Sequence, residues 1–150
     1  KISWFLTHSY CEYKFYLEAV CKLEIMKTNK MLLGSQIHEF KEKIKNFCDA
    51  RDWDQFHNAK ELAIALSLEA SELLEPFRFK SEKEIEELFK DSKKREEIED
   101  EMADVLYFLV RLAQKYDVDL SEAFDRKMEK SAKKYPIDKA KGSNKKYNEF

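Results

Sequence analysis

Apolar residues recur along this chain at steps of three and four, the signature of helices that bury one face. Ile37, Phe40, Ile44 and Phe47 give a first amphipathic helix. Asp49 to His57 reads as a polar-aromatic connection. Asn58 with Glu61 resembles an N-terminal capping box, and the helix it opens runs to about Glu75, ahead of Pro76. Ser81 with Glu84 opens a short acidic helix. A long helix follows over about 93–116, with Ile98, Met102, Val105, Leu109, Leu112 and Tyr116 as its apolar stripe. Asp119 or Ser121 starts another helix that ends near Tyr135, before Pro136. The tail beyond, with Gly142, Ser143 and Asn144, is expected to lack regular structure. Upstream, Ser9 to Glu12 is a capping pattern for a helix over about 10–22, and Lys27 to Lys30 reads as a loop.

Composition agrees with an all-α helical bundle. Only two Gly and two Pro occur in 150 residues, too little turn material for a β-rich fold. Charged residues make up 39% of the chain, yet the net charge is −2, so no overall pull toward nucleic acid is expected. No apolar run reaches the ~18 residues a membrane span needs. Ile2 to Leu6 is too short for a signal-peptide core. Three cysteines, Cys11, Cys21 and Cys48, show no C-x-x-C spacing, and a reducing cytoplasm with free thiols is expected. Residues 80–104 are acidic on balance, whereas 126–150 are basic.

Two acidic motifs interrupt the apolar faces: Glu69-Ala70-Ser71-Glu72 and Glu101-Met102-Ala103-Asp104. Carboxylates three positions apart share one helix face, roughly 5–6 Å apart at Cβ. On a helical projection Glu69 falls inside the stripe of Leu62, Leu66 and Leu73, and Glu72 lies on its edge. Glu101 lies between Phe108 and Leu112, and Asp104 borders that arc. One such Glu is ordinary solvated charge; four at matched spacing on two helices make a candidate cage for a hard cation such as Mg²⁺. No His or Cys cluster competes, so Zn²⁺ is disfavoured.

The same residues belong to a longer ordered pattern: Arg51-Asp52-Trp53-Asp54-Gln55-Phe56-His57, Lys60-Glu61-Leu62-Ala63, the two acidic motifs, Asp119-Leu120, Lys133-Lys134-Tyr135-Pro136 and Ser143-Asn144-Lys145-Lys146-Tyr147. In this pattern residues 36–150 resemble the all-α nucleoside triphosphate pyrophosphohydrolases of MazG type, especially the dCTP pyrophosphatase branch. The resemblance implies hydrolysis of a pyrimidine nucleoside triphosphate to the monophosphate and pyrophosphate. It implies Mg²⁺ on Glu69, Glu72, Glu101 and Asp104, which are then both catalytic and metal-binding. Glu75, one turn on, would orient water or a metal-bound ligand. Trp53 and His57 match positions near the nucleobase, and Lys60, Lys133, Lys134 and Tyr135 are expected at the phosphates, Lys134 and Tyr135 foremost because they match the motif. A homo-oligomer, dimer or tetramer, is implied, with neighbouring helices completing the bundle. Phe79 and Phe108 stand in the expected base pocket where the dCTP branch carries Trp and Tyr, and Ser131 stands where Asn is usual. These departures leave the hydrolytic chemistry intact and widen the expected base range toward dUTP or a broad spectrum. A helical interaction protein without catalysis is the alternative of another class.

The first 34 residues stand apart as an appendage to a module over 35–150. Together with Met31 to Glu39 they resemble the opening of Cas4-type exonucleases, in which a Cys ligates an iron–sulfur cluster and the His of G-x-x-x-H, here His38, binds metal. The remaining nuclease motifs have no counterpart, and Cys11 alone cannot hold a cluster that needs four ligands.

Overall fold

The computed structural model describes Glu24 and residues 36–149. The chain divides into two compact units, Lys1–His38 and Glu39–Phe150, and the second carries the site described below. The expected elements over 10–22 and 27–30, and Cys11, lie outside the described residues.

The fold is all-α, with no strand among the described residues. Helix α1 occupies residues 36–49, α2 Ala59–Leu74, α3 Glu82–Lys90, α4 Ser92–Lys115, α5 Leu120–Lys134 and α6 Ile137–Ala140. Single 3₁₀ turns cover Asp54–Phe56 and Glu75–Phe77. None of these helices is long and apolar enough to cross a membrane.

Side-chain caps set the helix starts. The Asn58 side chain accepts from the Glu61 N–H at 3.1 Å, satisfying one free donor of α2. Ser81 and Glu84 form the full reciprocal box at α3. Asp91 accepts from the Lys93 and Lys94 N–H groups of α4, and Asp119 from those of Ser121 and Glu122 in α5. Pro76 does not simply stop the chain after α2, because Glu75–Phe77 continues as a 3₁₀ turn with the proline in its first positions. Pro136 likewise starts α6, where the tail was expected to be irregular. A proline lacks the N–H that the first turn leaves unused anyway, so it can open a helix as readily as it ends one.

Helix α2 packs along α4, and α3 also rests on α4. Leu62 and Ile98 are almost fully buried. A second buried cluster joins α1 to α4 through Ile44, Cys48 and Val110, flanked by Phe40, Leu106 and Tyr107. Polar staples reinforce that seam: Gln114 Nε2 donates to the Lys41 carbonyl at 2.9 Å, and Cys48 Sγ lies 3.1 Å from Tyr107 Oη. Close by, Tyr116 Oη accepts from the Ala59 N–H at 2.8 Å, tying the start of α2 to the end of α4.

The apolar stripe expected on α4 is only partly the buried one. Ile98 is buried, but Met102, Leu109 and Tyr116 are exposed, and Val110, Arg111 and Ala113 are buried instead. The C-terminal half of α4 turns its Val110 side toward α1, which leaves the other flank uncovered.

Candidate functional site

Pairing of α2 with α4 brings the two acidic motifs face to face. Glu69, Glu72 and Glu101 each offer a carboxylate oxygen, and these oxygens lie within 4.8 Å of one another. Asp104 stands outside that triplet but close enough for its charge to act on Glu69 and Glu101. Burial first, then the charges of Glu72, Asp104 and Glu101, raise the Glu69 carboxyl above its ordinary value. Burial, then Glu72, Asp104 and Asp100, raises Glu101 likewise. One oxygen of Glu101, Oε2, is fully buried and has no hydrogen-bond partner among the described residues. Burying a polar oxygen without a partner costs about 1–3 kcal/mol. Like charges gathered around such an oxygen fit a divalent cation, which would satisfy the lone pairs and remove the repulsion together. The donor set is all oxygen, as Mg²⁺ or Ca²⁺ requires.

Two cavities flank the cluster. The first, about 510 Å³, is walled by Phe47, Trp53, Tyr107 and Phe108, with His57 on its edge and Glu69 and Asp104 also lining it. Its walls are locked edge to face: Phe47 against Trp53 at 5.7 Å, Phe47 against Tyr107 at 6.3 Å, and Tyr107 against Phe108 at 4.9 Å between centroids. The Arg51 guanidinium sits 3.6 Å over the Phe47 ring. Burial, then the Cys48 contact, pushes the Tyr107 phenol up. The second cavity, about 570 Å³, is lined by Glu72, Glu101 and Glu75 and by two cations, Lys80 and Lys94. Lys94 already pairs with Glu97 at 2.7 Å, and Glu75 with Arg78 at 3.6 Å.

The loop before α2 presents Trp53 and His57, and it is anchored by charge. Arg111 on α4, with only 3% of its surface exposed, donates from Nε to His57 Nδ1 at 3.0 Å. Its other two nitrogens donate to Asp54 Oδ1 and Gln114 Oε1, each at 2.6 Å. Lys115 Nζ donates to the second Asp54 oxygen, also at 2.6 Å. Lys115 and Arg111 together hold the Asp54 carboxyl below its usual range, Lys115 chiefly, against the opposing effect of burial.

Of the other residues expected at the site, Trp53, His57 and Phe108 line the aromatic cavity. Lys60 pairs with Glu61 at 2.9 Å and lines neither cavity. Lys134 Nζ lies 4.8 Å over the Tyr147 ring, and Tyr135 packs edge-on to the same ring at 6.1 Å. Phe79 is 92% exposed, with φ at 61°. His38 is exposed. Phe47 and Tyr107 were missed as cavity residues. Phe47 lay on the apolar stripe of α1 and read as core, and Tyr107 lay beside the expected stripe of α4 rather than on it. Arg111 was missed too, although it is the one charged side chain between Val105 and Ala113.

The sequence profile of the MazG-like family matches residues 64–150. The protein dCTP pyrophosphatase 1 of Mus musculus is 39% identical over 104 residues, covering 69% of this chain and 61% of the mouse protein. The Homo sapiens dCTP pyrophosphatase 1 is 38% identical over the same shares. This chain thus spans about three fifths of the length of the curated relatives it matches. A crystal structure of a pyrophosphatase from Archaeoglobus fulgidus superposes with a TM-score of 0.63 at 38% identity, covering 67% of this chain and 93% of that one. The chain belongs to the MazG-like family.

Proposed function

We propose that this protein is a Mg²⁺-dependent nucleoside triphosphate pyrophosphohydrolase that takes a pyrimidine substrate such as dCTP and releases the monophosphate and pyrophosphate. One observation carries the reading: carboxylates of α2 and α4 converge within 4.8 Å, between an aromatic cleft and a groove holding Lys80 and Lys94. Glu69, Glu72 and Glu101 would hold the metal, with Asp104 beside them. Bound there, Mg²⁺ would neutralise phosphate charge and make a water more acidic. The chain's own residues do the rest. Trp53 and Phe47 stack the base and exclude water from it, and His57 reads its polar edge. Asp104, which lines the cleft, accepts a hydrogen bond from the water that attacks the α-phosphorus. Lys80 and Lys94, across the cluster, receive the departing pyrophosphate as point charges. The names of the mouse, human and archaeal relatives support this chemistry.

Of the cleft's polar lining, Glu69 and Asp104 belong to the carboxylate cluster, which leaves His57 and Lys43 among the rings to face a base. Phe108 offers no hydroxyl, and that of Tyr107 is engaged with Cys48. Few polar groups are left unpaired by a wrong base, so discrimination among pyrimidines is expected to be modest.

A homo-oligomer, dimer or tetramer, completes this reading. Met102 and Leu109 on α4, Ile64 and Leu68 on α2, and Phe124 and Met128 on α5 are all exposed, more apolar surface than a solitary chain needs. Phe79, Lys60, Lys134 and Tyr135, which line neither cavity of their own chain, are assigned to the site of a neighbouring copy. Residues 35–150 are taken as the catalytic module and 1–34 as an appendage. The buried free thiol of Cys48 suits a reducing cytoplasm.

A panel of nucleoside triphosphates with Mg²⁺, scored separately for pyrophosphate and orthophosphate, tests the proposal. Pyrophosphate from a pyrimidine substrate is expected, with isotopically labelled water leaving its oxygen in the monophosphate. Label in orthophosphate, or no product from any nucleotide, would overturn it.

A further inference from the structure

A charged side chain buried as deeply as Arg111 costs several kcal/mol unless every donor finds a partner. Here each guanidinium nitrogen has one, and the contact to His57 has a direction that chemistry fixes. A guanidinium has five N–H donors and no acceptor. The 3.0 Å contact from Arg111 Nε therefore requires a lone pair on His57 Nδ1. A neutral imidazole with a lone pair on Nδ1 carries its proton on Nε2. Among the described residues, no group hydrogen-bonds that Nε2, and the ring lines the aromatic cleft.

We propose that Arg111 is a positioning residue that holds His57 in its Nε2–H tautomer, so that the cleft presents a hydrogen-bond donor to an acceptor atom on the nucleobase. The inference rests on the nucleotide reading above for the ligand, but not for the tautomer. A carbonyl oxygen or an unprotonated ring nitrogen is read at this edge; a ring N–H at the same place is rejected.

The surroundings keep the imidazole neutral as well as oriented. A proton on Nδ1 would set two donors against each other. Asp54, the one acid drawn against this network, already accepts from Arg111 and Lys115, so little of its charge is left for an imidazolium. Burial first, then Arg111, lowers the His57 pKa; Asp54 opposes and Lys115 adds to the lowering. Lys43 from α1, Glu69 from α2 and Asp104 from α4 line the same cleft. Gln114 cannot turn to offer Arg111 its amide nitrogen, because that nitrogen donates to the Lys41 carbonyl.

Nitrogen-edited NMR of the imidazoles in the full chain tests this without any turnover. The chain has three histidines, and loss of one spin system in His57→Gln assigns the signal. At neutral pH His57 is expected to show an unprotonated Nδ1 and a protonated Nε2. An Nδ1–H tautomer or an imidazolium there would overturn the proposal, even in an active enzyme. In Arg111→Met, a tautomer mixture is expected, with KM raised about tenfold for the loss of one oriented hydrogen bond while kcat changes little. The acid limb of 1/KM should also move up toward the ordinary histidine range. Where Arg111→Met does not fold, Asp54→Asn, which keeps the Arg111–His57 contact, should preserve the tautomer. A folded Arg111→Met with an unchanged tautomer, titration and KM would show that Arg111 only braces the loop. A wild-type chain inactive on every nucleotide sinks the nucleotide reading and leaves the NMR result standing.

Discussion

Helix α4 carries a polar site in each half, and the two are finished differently. At Arg111 every guanidinium nitrogen has a partner supplied by the chain itself. At Glu101 a buried carboxylate oxygen has none among the described residues, and the neighbours are further carboxylates. The first site is complete in the apo chain and holds a loop in place. The second gathers like charges around an unpartnered oxygen, an arrangement that a divalent cation would relieve. A closed network contributes to the stability of the chain alone; an open one makes stability depend on a ligand.

The sharpest way to break the comparison is to neutralise the open site. Glu69→Gln and Glu101→Gln are each expected to cut turnover by about a thousandfold or more, since a bound metal would lose a charged ligand, while circular dichroism keeps the wild-type helix content. Retained turnover in both variants, or in excess chelator, would mean the cluster is not the reaction centre.

Ligand dependence should follow the same divide. Mg²⁺ at about a hundred times its Kd is expected to add roughly 2.7 kcal/mol to unfolding of the wild type, and much less in Glu101→Gln. Chelated protein should show the cause in its pH dependence. Glu69 and Glu101 have folded pKa values raised above 4.5, so the folded state holds protons there that the unfolded state releases. Their contribution is fully present below 4.5 and is lost as pH rises through the raised values. Measured in chelator, Glu69→Gln should match wild type below 4.5 and become the more stable of the two above it. A constant difference across that window would rule out the repulsion.

The closed site should respond in the opposite sense. Arg111→Met is expected to lower stability by about 2 kcal/mol, because His57 Nδ1 and Gln114 Oε1 lose their donor, and added Mg²⁺ should not recover it. If Mg²⁺ restores the loss in full, the two sites are one. The smallest effect belongs to an acid on the outer face of α4. Glu99 pairs with Arg95 at 2.7 Å, both half exposed. Glu99→Gln should change stability by less than about 0.5 kcal/mol and leave turnover alone, which separates position on the helix from acidity as such.

The sequence made one of these sites legible and hid the other. Paired carboxylates inside an apolar stripe are a conflict visible in one dimension, and the α2–α4 pairing brings Glu69, Glu72 and Glu101 together as that conflict implied. Caps were equally visible, because Asn58, Ser81 and Asp119 act on N–H groups two or three residues away. Arg111 was not visible. Its partners Asp54 and His57 lie more than fifty residues away, and a lone Arg in an apolar run reads as a side chain reaching for solvent. The choice of buried face on α4 failed for a related reason. Periodicity gives the apolar positions of a helix but not which neighbour covers them, so Met102 and Leu109 looked like core while Val110 was taken by α1.

Phe79 has an implication for how this chain would change under selection. Its backbone sits at φ 61°, a region comfortable for Gly or Asn and strained for an aromatic, and its ring is almost wholly in water. Among the described residues its ring meets the Arg78 guanidinium, 4.7 Å from the centroid. A laboratory lineage selected for heat resistance alone should therefore drift to Gly or Asn at this position early. A lineage held to catalytic turnover should keep the aromatic and find its heat resistance elsewhere.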